Sequence, residues 1–250
     1  MDSEHYDPWQ DPRLQEEIMM KYLRQRSGWS RAWSRLRWMM KRLAWQVVVR
    51  SASFVKRVFD VVVSLLAIIV LSPVFLLTWL AIKLEDGGPA LFVQQRVGRH
   101  GKLFPMYKFR SMVVDAEKIK AQLMDKNESG GGVLFKMKND PRVTRVGRVI
   151  RKYSIDELPQ LFNVLKGDMS LVGPRPALPS EVAKYSVRDR MRLEVRPGLT
   201  CLWQIGGRSD IDFEGQVRLD VQYIREQGFW NDVKILLKTI PAVLLGKGAY

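Results

Sequence analysis

The longest apolar segment of the chain runs from Val61 to Ile82, 22 residues without a charge. At about 1.5 Å per helical residue, this length suffices to cross about 30 Å of hydrocarbon. Ser72 and Pro73 lie near its middle, where proline removes a backbone hydrogen bond and favours a sharp bend. The pattern predicts a membrane-inserted helix over residues 58–83 that is broken at Ser72-Pro73.

Basic residues lie on both sides of this apolar segment. Lys56 and Arg57 precede it. Six Lys or Arg residues follow it between positions 83 and 110, against Glu85 and Asp86 alone. Because positively charged flanks favour the cytoplasmic side of a membrane, we expect both ends on the cytoplasmic side. This predicts a re-entrant helix, which enters and leaves on one side; a kinked spanning helix is the alternative.

A second pattern occupies residues 21–57, which contain eleven Lys or Arg and no Asp or Glu. Its apolar residues recur at helical spacing and are Trp29, Trp33, Leu36, Met40, Leu43 and Val47. A basic helix with tryptophans on its apolar side is typical of a helix in the lipid headgroup region. The alternatives are a partner-binding helix or a helix packed on the domain. Residues 1–20, with six acids and one arginine, are expected to form a flexible acidic terminus.

From residue 84 onward the pattern changes to short helices and strands, which predicts a soluble α+β domain over residues 84–250 on the cytoplasmic side. Leu91–Val97 and Leu103–Phe109 are predicted to form a hairpin around Arg99-His100-Gly101. Helices are predicted at 112–126, 143–152, 158–165, 213–227 and 232–245, with a loop at 130–132. The expected fold class is α+β, mainly helical, with a small β-hairpin, one re-entrant membrane helix and surface amphipathic helices.

Composition limits the function classes. The chain has 250 residues and a net charge of +15, from 41 Lys plus Arg against 26 Asp plus Glu. Such a surplus indicates an anionic partner: nucleic acid, a phosphate-bearing substrate or acidic lipid. A single cysteine, Cys201, excludes an intramolecular disulfide and a Cys-based zinc site, and His5 and His100 are far apart. Any bound metal is therefore expected to have oxygen ligands.

Two adjacent carboxylates, Asp156 and Glu157, are the candidate catalytic groups. They follow Ser154 with the spacing of a capping box, and Pro159 fits the first turn of the next helix. This arrangement would place both carboxylates at the positive end of a helix dipole, which favours their ionised forms. The simpler interpretation is that they only cap the helix.

Basic residues surround this pair in the sequence. Arg145, Arg148 and Arg151 precede it at helical spacing, and Arg175 follows in Gly173-Pro174-Arg175-Pro176. Carboxylates beside guanidinium groups can hold Mg²⁺ and a polyphosphate together. An aspartate in that setting can attack phosphorus. The competing interpretation is a solvated network of surface salt bridges.

Three motifs, in this order, resemble the bacterial sugar transferases, the monotopic phosphoglycosyl transferases that are also called polyprenyl-phosphate hexose-1-phosphate transferases. They are Tyr107 through Met112, Ser154 through Ser170, and Gly173-Pro174-Arg175-Pro176. The resemblance covers residues 54–250 and implies that residues 84–250 form the cytoplasmic catalytic domain of a sugar transferase. The segment after the third motif is similar to the branch that initiates exopolysaccharide or O-antigen repeats with a hexose such as glucose or galactose.

The resemblance implies a role for each matching residue. Asp156 matches the nucleophile that attacks the sugar-bearing phosphate of a UDP-sugar, expels UMP and passes the sugar phosphate to undecaprenyl phosphate. Glu157 matches its dyad partner, and Asp156 and Glu157 are the candidate Mg²⁺ ligands. The predicted substrate-binding residues are Lys108, Arg110, Arg148, Arg151 and Arg175. Ser72 and Pro73 match the break of the family's re-entrant helix.

The implied partners are a UDP-sugar, undecaprenyl phosphate, membrane lipids and downstream glycosyltransferases. The resemblance is also compatible with an oligomer of this chain, and it implies no nucleic-acid partner. A membrane-tethered nucleic-acid-binding protein is the competing class, with residues 21–57 as its basic arm. Its aromatics share one apolar stripe, however, and are not interleaved for base stacking. The third hypothesis is a non-catalytic scaffold of a polysaccharide assembly complex. The presence of Asp156, Glu157, Lys108 and Arg175 argues against it.

Overall fold

The computed structural model describes residues 12–25, 28–116, 118–119, 140–207 and 211–245. The backbone divides into two compact units, residues 1–53 and residues 54–250. Most of the helix predicted at 112–126 and the whole loop predicted at 130–132 lie outside the described residues.

The N-terminal unit is described as helix. Helix α1, Pro12–Gln25, includes part of the segment that the sequence predicts to be flexible, while residues 1–11 lie outside the described ones. Helix α2 is Gly28–Val70 and contains neither Pro nor Gly after its first residue, so nothing in its sequence interrupts it near the predicted boundary at residue 57. The described members of the apolar stripe that the sequence predicts within residues 21–57 are exposed. They are Trp33, Leu36, Met40 and Leu43.

The long apolar segment forms two helices with a bend between them. Helix α2 ends at Val70, and helix α3 is Ser72–Asp86. The Ser72 hydroxyl donates to the Ile69 carbonyl at 2.8 Å, and Pro73 lies in the first turn of α3, where proline is tolerated. The break therefore lies at the position that the sequence predicts.

Helix length and apolarity decide which helices could cross a bilayer. Among the described helices no single one meets both requirements for crossing a bilayer, but Ser53–Val70 and Ser72–Asp86 meet them together, bent by 61°. One side of this bent pair packs on the core through Phe59, Val63, Ala67, Ile68 and Phe75. The other side exposes apolar residues that include Leu66, Ile69, Val70, Leu76 and Leu77. We call residues 54–86 the hairpin helix pair.

The predicted β-hairpin is confirmed with its predicted bounds. Strands β1, Leu91–Val97, and β2, Leu103–Phe109, pair antiparallel, with Leu91 opposite Phe109. A 3₁₀ turn at Arg99–Gly101 joins them. Alternate residues of β2, Phe104 and Met106, point into the core because strand side chains alternate between faces.

The remaining chain folds into short elements around this hairpin. They are helix α4 (Arg145–Lys152), a 3₁₀ turn (Ile155–Glu157), helix α5 (Gln160–Lys166), strand β3 (Ser170–Val172), helix α6 (Pro179–Val182), a 3₁₀ turn (Asp189–Glu194), strand β4 (Gly198–Thr200), and helices α7 (Leu202–Gly206), α8 (Phe213–Glu226) and α9 (Phe229–Leu245). Strands β3 and β4 pair in parallel. The fold is mainly helical with small sheets, as the sequence predicts.

The main core lies where β2, α5, β3, α8 and α9 meet. Its buried members are Phe104, Met106, Leu161, Val164, Met169, Leu171, Val172, Tyr223 and Ile235. Two predicted helices form this core with small changes of boundary, since α8 ends at Glu226 and α9 begins at Phe229. The core therefore fixes α5, the helix that directly follows the two candidate carboxylates.

Candidate active site

The two candidate carboxylates lie in a 3₁₀ turn, Ile155–Glu157, between α4 and α5. The predicted capping box at Ser154 is wrong. The Ser154 backbone is left-handed, with φ of 54°, and its side chain caps no N–H group within the part of the chain that the structure describes. Helix α5 begins only at Gln160, after Pro159. The Glu157 side chain, which a capping box would turn back to Ser154, contacts a lysine of strand β2 instead.

That lysine is Lys108, whose Nζ donates to Glu157 Oε1 at 2.9 Å. The side chains of Lys108 and Glu157 are 17% and 19% exposed, so the ion pair is partly shielded from water. Its geometry is set by Asn163 of α5. The Asn163 side chain accepts from the Tyr107 amide at 3.0 Å and donates to the Pro105 carbonyl at 2.7 Å, which fastens α5 to β2.

The two carboxyl groups differ in their electrostatics. Asp156 is 9% exposed, and burial raises its pKa to about 6, with the charge of Glu157 adding to the rise and Lys108, Arg151 and Arg175 opposing it. Burial also acts to raise the pKa of Glu157, but Lys108 and Arg175 outweigh it and hold that pKa below its ordinary value. Burial thus disfavours the charged form of Asp156, whereas the neighbouring cations stabilise the charged form of Glu157.

Arg151 and Arg175 bring positive charge to this turn from two directions. Arg151 lies in the last turn of α4 and is half-buried. Arg175 is exposed in the loop after β3, where its guanidinium carbon lies 5.9 Å from the centre of the Trp203 ring. Lys108, Arg151 and Arg175 all act on the pKa of Asp156. The structure thus gathers these three predicted residues around the dyad, and their binding roles stay predictions.

Two other predicted substrate-binding residues are placed differently. The Arg110 guanidinium forms a two-point ion pair with Asp86, with Nη1 at 2.6 Å from Oδ2, and its Nε donates to the Pro89 carbonyl at 2.6 Å. These contacts hold the end of α3 to the end of β2. Arg148 is exposed on α4 and has no hydrogen bond or ion pair to the dyad among the described residues. Neither is brought to Asp156.

Arg96 is a residue of this site that the sequence reasoning missed. It is 7% exposed and donates to the Pro176 carbonyl at 3.0 Å and to Gln94 Oε1 at 2.7 Å. Burial lowers its pKa to about 10, and the nearby Arg175 charge contributes. The Val97 amide also donates to the Ala177 carbonyl at 2.9 Å, so β1 holds the Gly-Pro-Arg-Pro loop in place. The available signal was an arginine within a predicted strand. A charged side chain at an inward-facing strand position is buried, and a buried charge requires hydrogen-bond or ion-pair partners.

The donor set at the dyad suits a hard cation that also binds substrate phosphates. Among the described residues no group of three or more His, Cys, Asp or Glu side chains is placed to hold a metal ion. Two carboxylates are nevertheless a sufficient protein contribution for Mg²⁺, which keeps several water and phosphate ligands. Asp156 and Glu157 are adjacent, and Glu157 commits only Oε1 to Lys108. The arrangement fits magnesium held jointly with a phosphate substrate.

Comparison with known proteins places the chain in a family. A model described as Bacterial sugar transferase matches residues 51–246. The undecaprenyl-phosphate galactose phosphotransferase of Salmonella typhimurium is 48% identical over 215 residues, 85% of this chain and 45% of that protein. The exopolysaccharide production protein ExoY of Sinorhizobium fredii is 42% identical over 198 residues, 78% of this chain and 88% of that protein.

A third relative is the UDP-glucose:undecaprenyl-phosphate glucose-1-phosphate transferase of Caulobacter vibrioides, 44% identical over 203 residues, 78% of this chain and 72% of that protein. The chain thus spans less than half the length of the Salmonella relative and most of the length of the other two. The matched region contains the hairpin helix pair, the dyad and the loop that carries Arg175. The chain belongs to the bacterial sugar transferase family.

Proposed function

We propose that this chain transfers a hexose 1-phosphate from a UDP-sugar to undecaprenyl phosphate and releases UMP, the first membrane step of exopolysaccharide or O-antigen synthesis. The observation that carries the proposal is the buried Asp156 carboxyl beside the Glu157–Lys108 ion pair, with Arg151 and Arg175 close enough to act on its pKa. The names of the relatives support the substrate class, since they include undecaprenyl-phosphate galactose and glucose-1-phosphate transferases.

In the first step, an Asp156 carboxylate oxygen attacks the phosphorus that carries the sugar. A new oxygen–phosphorus bond forms as the bond between that phosphorus and the UMP oxygen breaks, and UMP leaves with the bonding electrons. The product on the protein is an aspartyl phosphosugar. A carboxylate that is poorly solvated in its site is the more reactive nucleophile. Lys108, Arg151 and Arg175 would stabilise the negative charge that develops on the phosphate oxygens.

In the second step, an oxygen of undecaprenyl phosphate attacks the same phosphorus. The bond from Asp156 to phosphorus breaks, the carboxylate is restored, and the lipid carries the sugar through a diphosphate. Glu157 lies beside Asp156 and is held ionised by Lys108. We assign it to orienting the incoming lipid phosphate. Each of the two steps breaks one oxygen–phosphorus bond and forms another, so no oxidant or reductant is required.

Magnesium is part of the proposal. Asp156 and Glu157 would hold Mg²⁺, which when bound would neutralise charge on the phosphate oxygens of the substrates. The cationic side chains already present suit the same demand, because arginine binds phosphate through two parallel donors.

The membrane location is proposed from the hairpin helix pair. Its outward side is apolar, and its two helices bend by 61°. A re-entrant path would place the dyad at the cytoplasmic face of the inner membrane, where a water-soluble UDP-sugar and the phosphate of a lipid both have access. The product would then serve the downstream glycosyltransferases that extend it.

The proposal is tested by incubating the protein in lipid nanodiscs with UDP-glucose or UDP-galactose and Mg²⁺, without undecaprenyl phosphate. We expect one of the two sugars to give a stoichiometric release of UMP. Asp156→Asn should abolish that release, whereas Asp115→Asn, the same change at an exposed position, should not. Persistent UMP release by the Asp156 variant would refute the covalent mechanism.

A further inference from the structure

Three charged side chains hold the first helix of the hairpin helix pair to the elements that follow it in the chain. They are Lys56, Arg57 and Asp60. From the sequence, Lys56 and Arg57 are explained by the positive charge of a cytoplasmic flank. In the structure both are half-buried, and Asp60 is 2% exposed. Their role therefore extends beyond loop charge.

Arg57 binds the end of helix α5. Its Nη1 donates to the Val164 carbonyl at 2.5 Å and its Nη2 to the Leu165 carbonyl at 2.8 Å. The last carbonyls of a helix lack partners within the helix, and a cation there also meets the negative end of the helix dipole. Gly167 ends the helix with φ of +93°, and a Cβ atom at that position would lie 3.4 Å from Arg57 Nη2. That distance is an ordinary van der Waals contact, so glycine is required here for the left-handed end of the helix and not for the approach of the guanidinium.

Helix α5 connects that contact to the reacting groups. It is seven residues long, about 10 Å, and the Asp156–Glu157 turn directly precedes it. Through Asn163 it is also fastened to the strand that carries Lys108. The second arm of the hairpin helix pair reaches the same helix, because Phe75 contacts Phe162 with ring centres 6.0 Å apart. The dyad and the hairpin helix pair are therefore linked through one short rigid element.

The other two charges strengthen the link. Asp60 Oδ1 accepts from the Leu171 amide at 3.1 Å, at the strand that leads to the Arg175 loop. Lys56 forms an ion pair with Asp232, which is buried at the start of α9. Both contacts tie down α2 beside Arg57. Arg57 is the member of the set that contacts α5, the helix that follows the dyad.

We propose that Arg57 is a positioning residue for the lipid acceptor: by fixing α5 on the hairpin helix pair, it sets the depth at which Asp156 meets the phosphate of the membrane-borne substrate. The proposal rests on the proposed transferase function. Arg57 does not touch the dyad, so its loss should leave attack on the soluble UDP-sugar largely intact. A misplacement of about 1 Å can cost about 100-fold in rate. We expect this cost in the second step, because there Asp156 has to lie at the depth of the lipid phosphate.

The test compares Arg57→Ala and Arg57→Lys with wild type in nanodiscs that contain undecaprenyl phosphate. We expect Arg57→Ala to lower kcat/KM for the lipid by 10- to 100-fold, on the order that such misplacement produces, while lipid-free UMP release changes less than threefold. Arg57→Lys, which keeps the charge with one donor centre, should recover part of the loss. Arg225→Ala removes an equal charge from an exposed site on α8 and should behave as wild type. Equal losses in both half-reactions, or no loss in either, would overturn the proposal.

A second measurement does not depend on catalysis. A spin label on Tyr153→Cys, an exposed position near the dyad, reports immersion depth through its relaxation by lipid-soluble oxygen and a water-soluble nickel complex; the native Cys201 is buried. We expect Arg57→Ala to shift or broaden that depth. An unchanged depth would refute the positioning role even if the protein proved to transfer no sugar. Absence of UMP release from wild type would instead refute the proposed function. If Arg57→Ala fails to fold, Arg57→Lys carries both measurements.

Discussion

Two buried aspartates in this chain have similar electrostatics and different surroundings. Burial raises the pKa of both Asp156 and Asp220 to about 6. Asp220 is 0% exposed and faces Arg192 at 2.7 Å, and Arg192 also donates to the Tyr185 hydroxyl at 2.9 Å. Asp156 keeps 9% exposure, and the exposed Arg175 lies near it.

The difference shows that a raised carboxyl pKa does not by itself identify a reactive site. At Asp220 the compensating cation, Arg192, is buried in the same interior contact. At Asp156 the compensating cations come from three separate segments and include one at the surface. We therefore expect a phosphate to bind between the carboxylate and the cations at Asp156 and not at Asp220.

The comparison is tested most strongly by the same substitution at both positions. Asp156→Asn should lower turnover by at least about 10⁴-fold, on the scale of removing a nucleophile, with no loss of thermal stability because it removes a poorly solvated charge. Asp220→Asn should retain turnover within about threefold per folded molecule. Steady-state UMP release and thermal unfolding of the two variants provide the measurement. Similar losses of activity in both would contradict the distinction.

Removing the cation of the interior pair should affect stability instead of chemistry. Arg192→Ala leaves Asp220 buried without its counter-charge, which costs about 3–5 kcal/mol of unfolding free energy. The folded fraction should keep its kcat. Denaturant unfolding in detergent, with activity normalised to folded protein, checks both expectations. A full loss of kcat in folded Arg192→Ala would place this pair in the active site.

Removing the lysine that pairs with the dyad should affect chemistry instead of stability. Lys108→Met keeps the chain length but takes away the partner of Glu157 and a positive charge near Asp156. We expect turnover to fall by about 10²–10³-fold, the scale of losing one preorganised charge contact. Lys102→Met, an exposed lysine just before the same strand, is the matched control. Unchanged turnover in Lys108→Met would exclude this cation from the site.

The smallest effect concerns pH and Asp220. Its folded pKa of about 6 lies above its ordinary value of 3.8, so its stability contribution is present below about pH 4 and is lost as the pH rises through 6. Relative to Asp220→Asn, wild type should therefore lose about 1–3 kcal/mol of unfolding free energy across that window. Thermal unfolding from pH 4.5 to 7 measures the difference. Parallel curves for the two proteins would show that Asp220 does not titrate there.

Features with a local cause were predictable from the sequence. The break at Ser72-Pro73 follows from proline chemistry, and the hairpin around Arg99–Gly101 from strand alternation next to a turn. The end of α5 at Gly167 follows from the left-handed conformation that glycine permits. Each depends on a few neighbouring residues, so one sequence is enough.

Features that depend on distant partners were not predictable in the same way. Ser154 has the residue type and spacing of a helix cap. Glu157, however, pairs with Lys108, 49 positions away along the chain, and does not turn back to Ser154. Arg110 lies in a family motif, yet Asp86 occupies its guanidinium. The position of Arg96 within a strand indicated a buried charge, but not that its partner is the Pro176 carbonyl of the Arg175 loop, 80 positions away along the chain. Charge and spacing identify candidate residues, and the tertiary fold decides which of them meet.

The central claim is that Asp156 becomes esterified to the sugar phosphate, and peptide mass spectrometry tests it most directly. Wild-type protein exposed to the reactive UDP-sugar without lipid should gain the mass of one hexose phosphate, on the peptide that contains Asp156. Addition of undecaprenyl phosphate should remove that mass and yield the lipid-linked sugar. A protein that turns over while never carrying the adduct, or that carries it on another residue, would contradict the account.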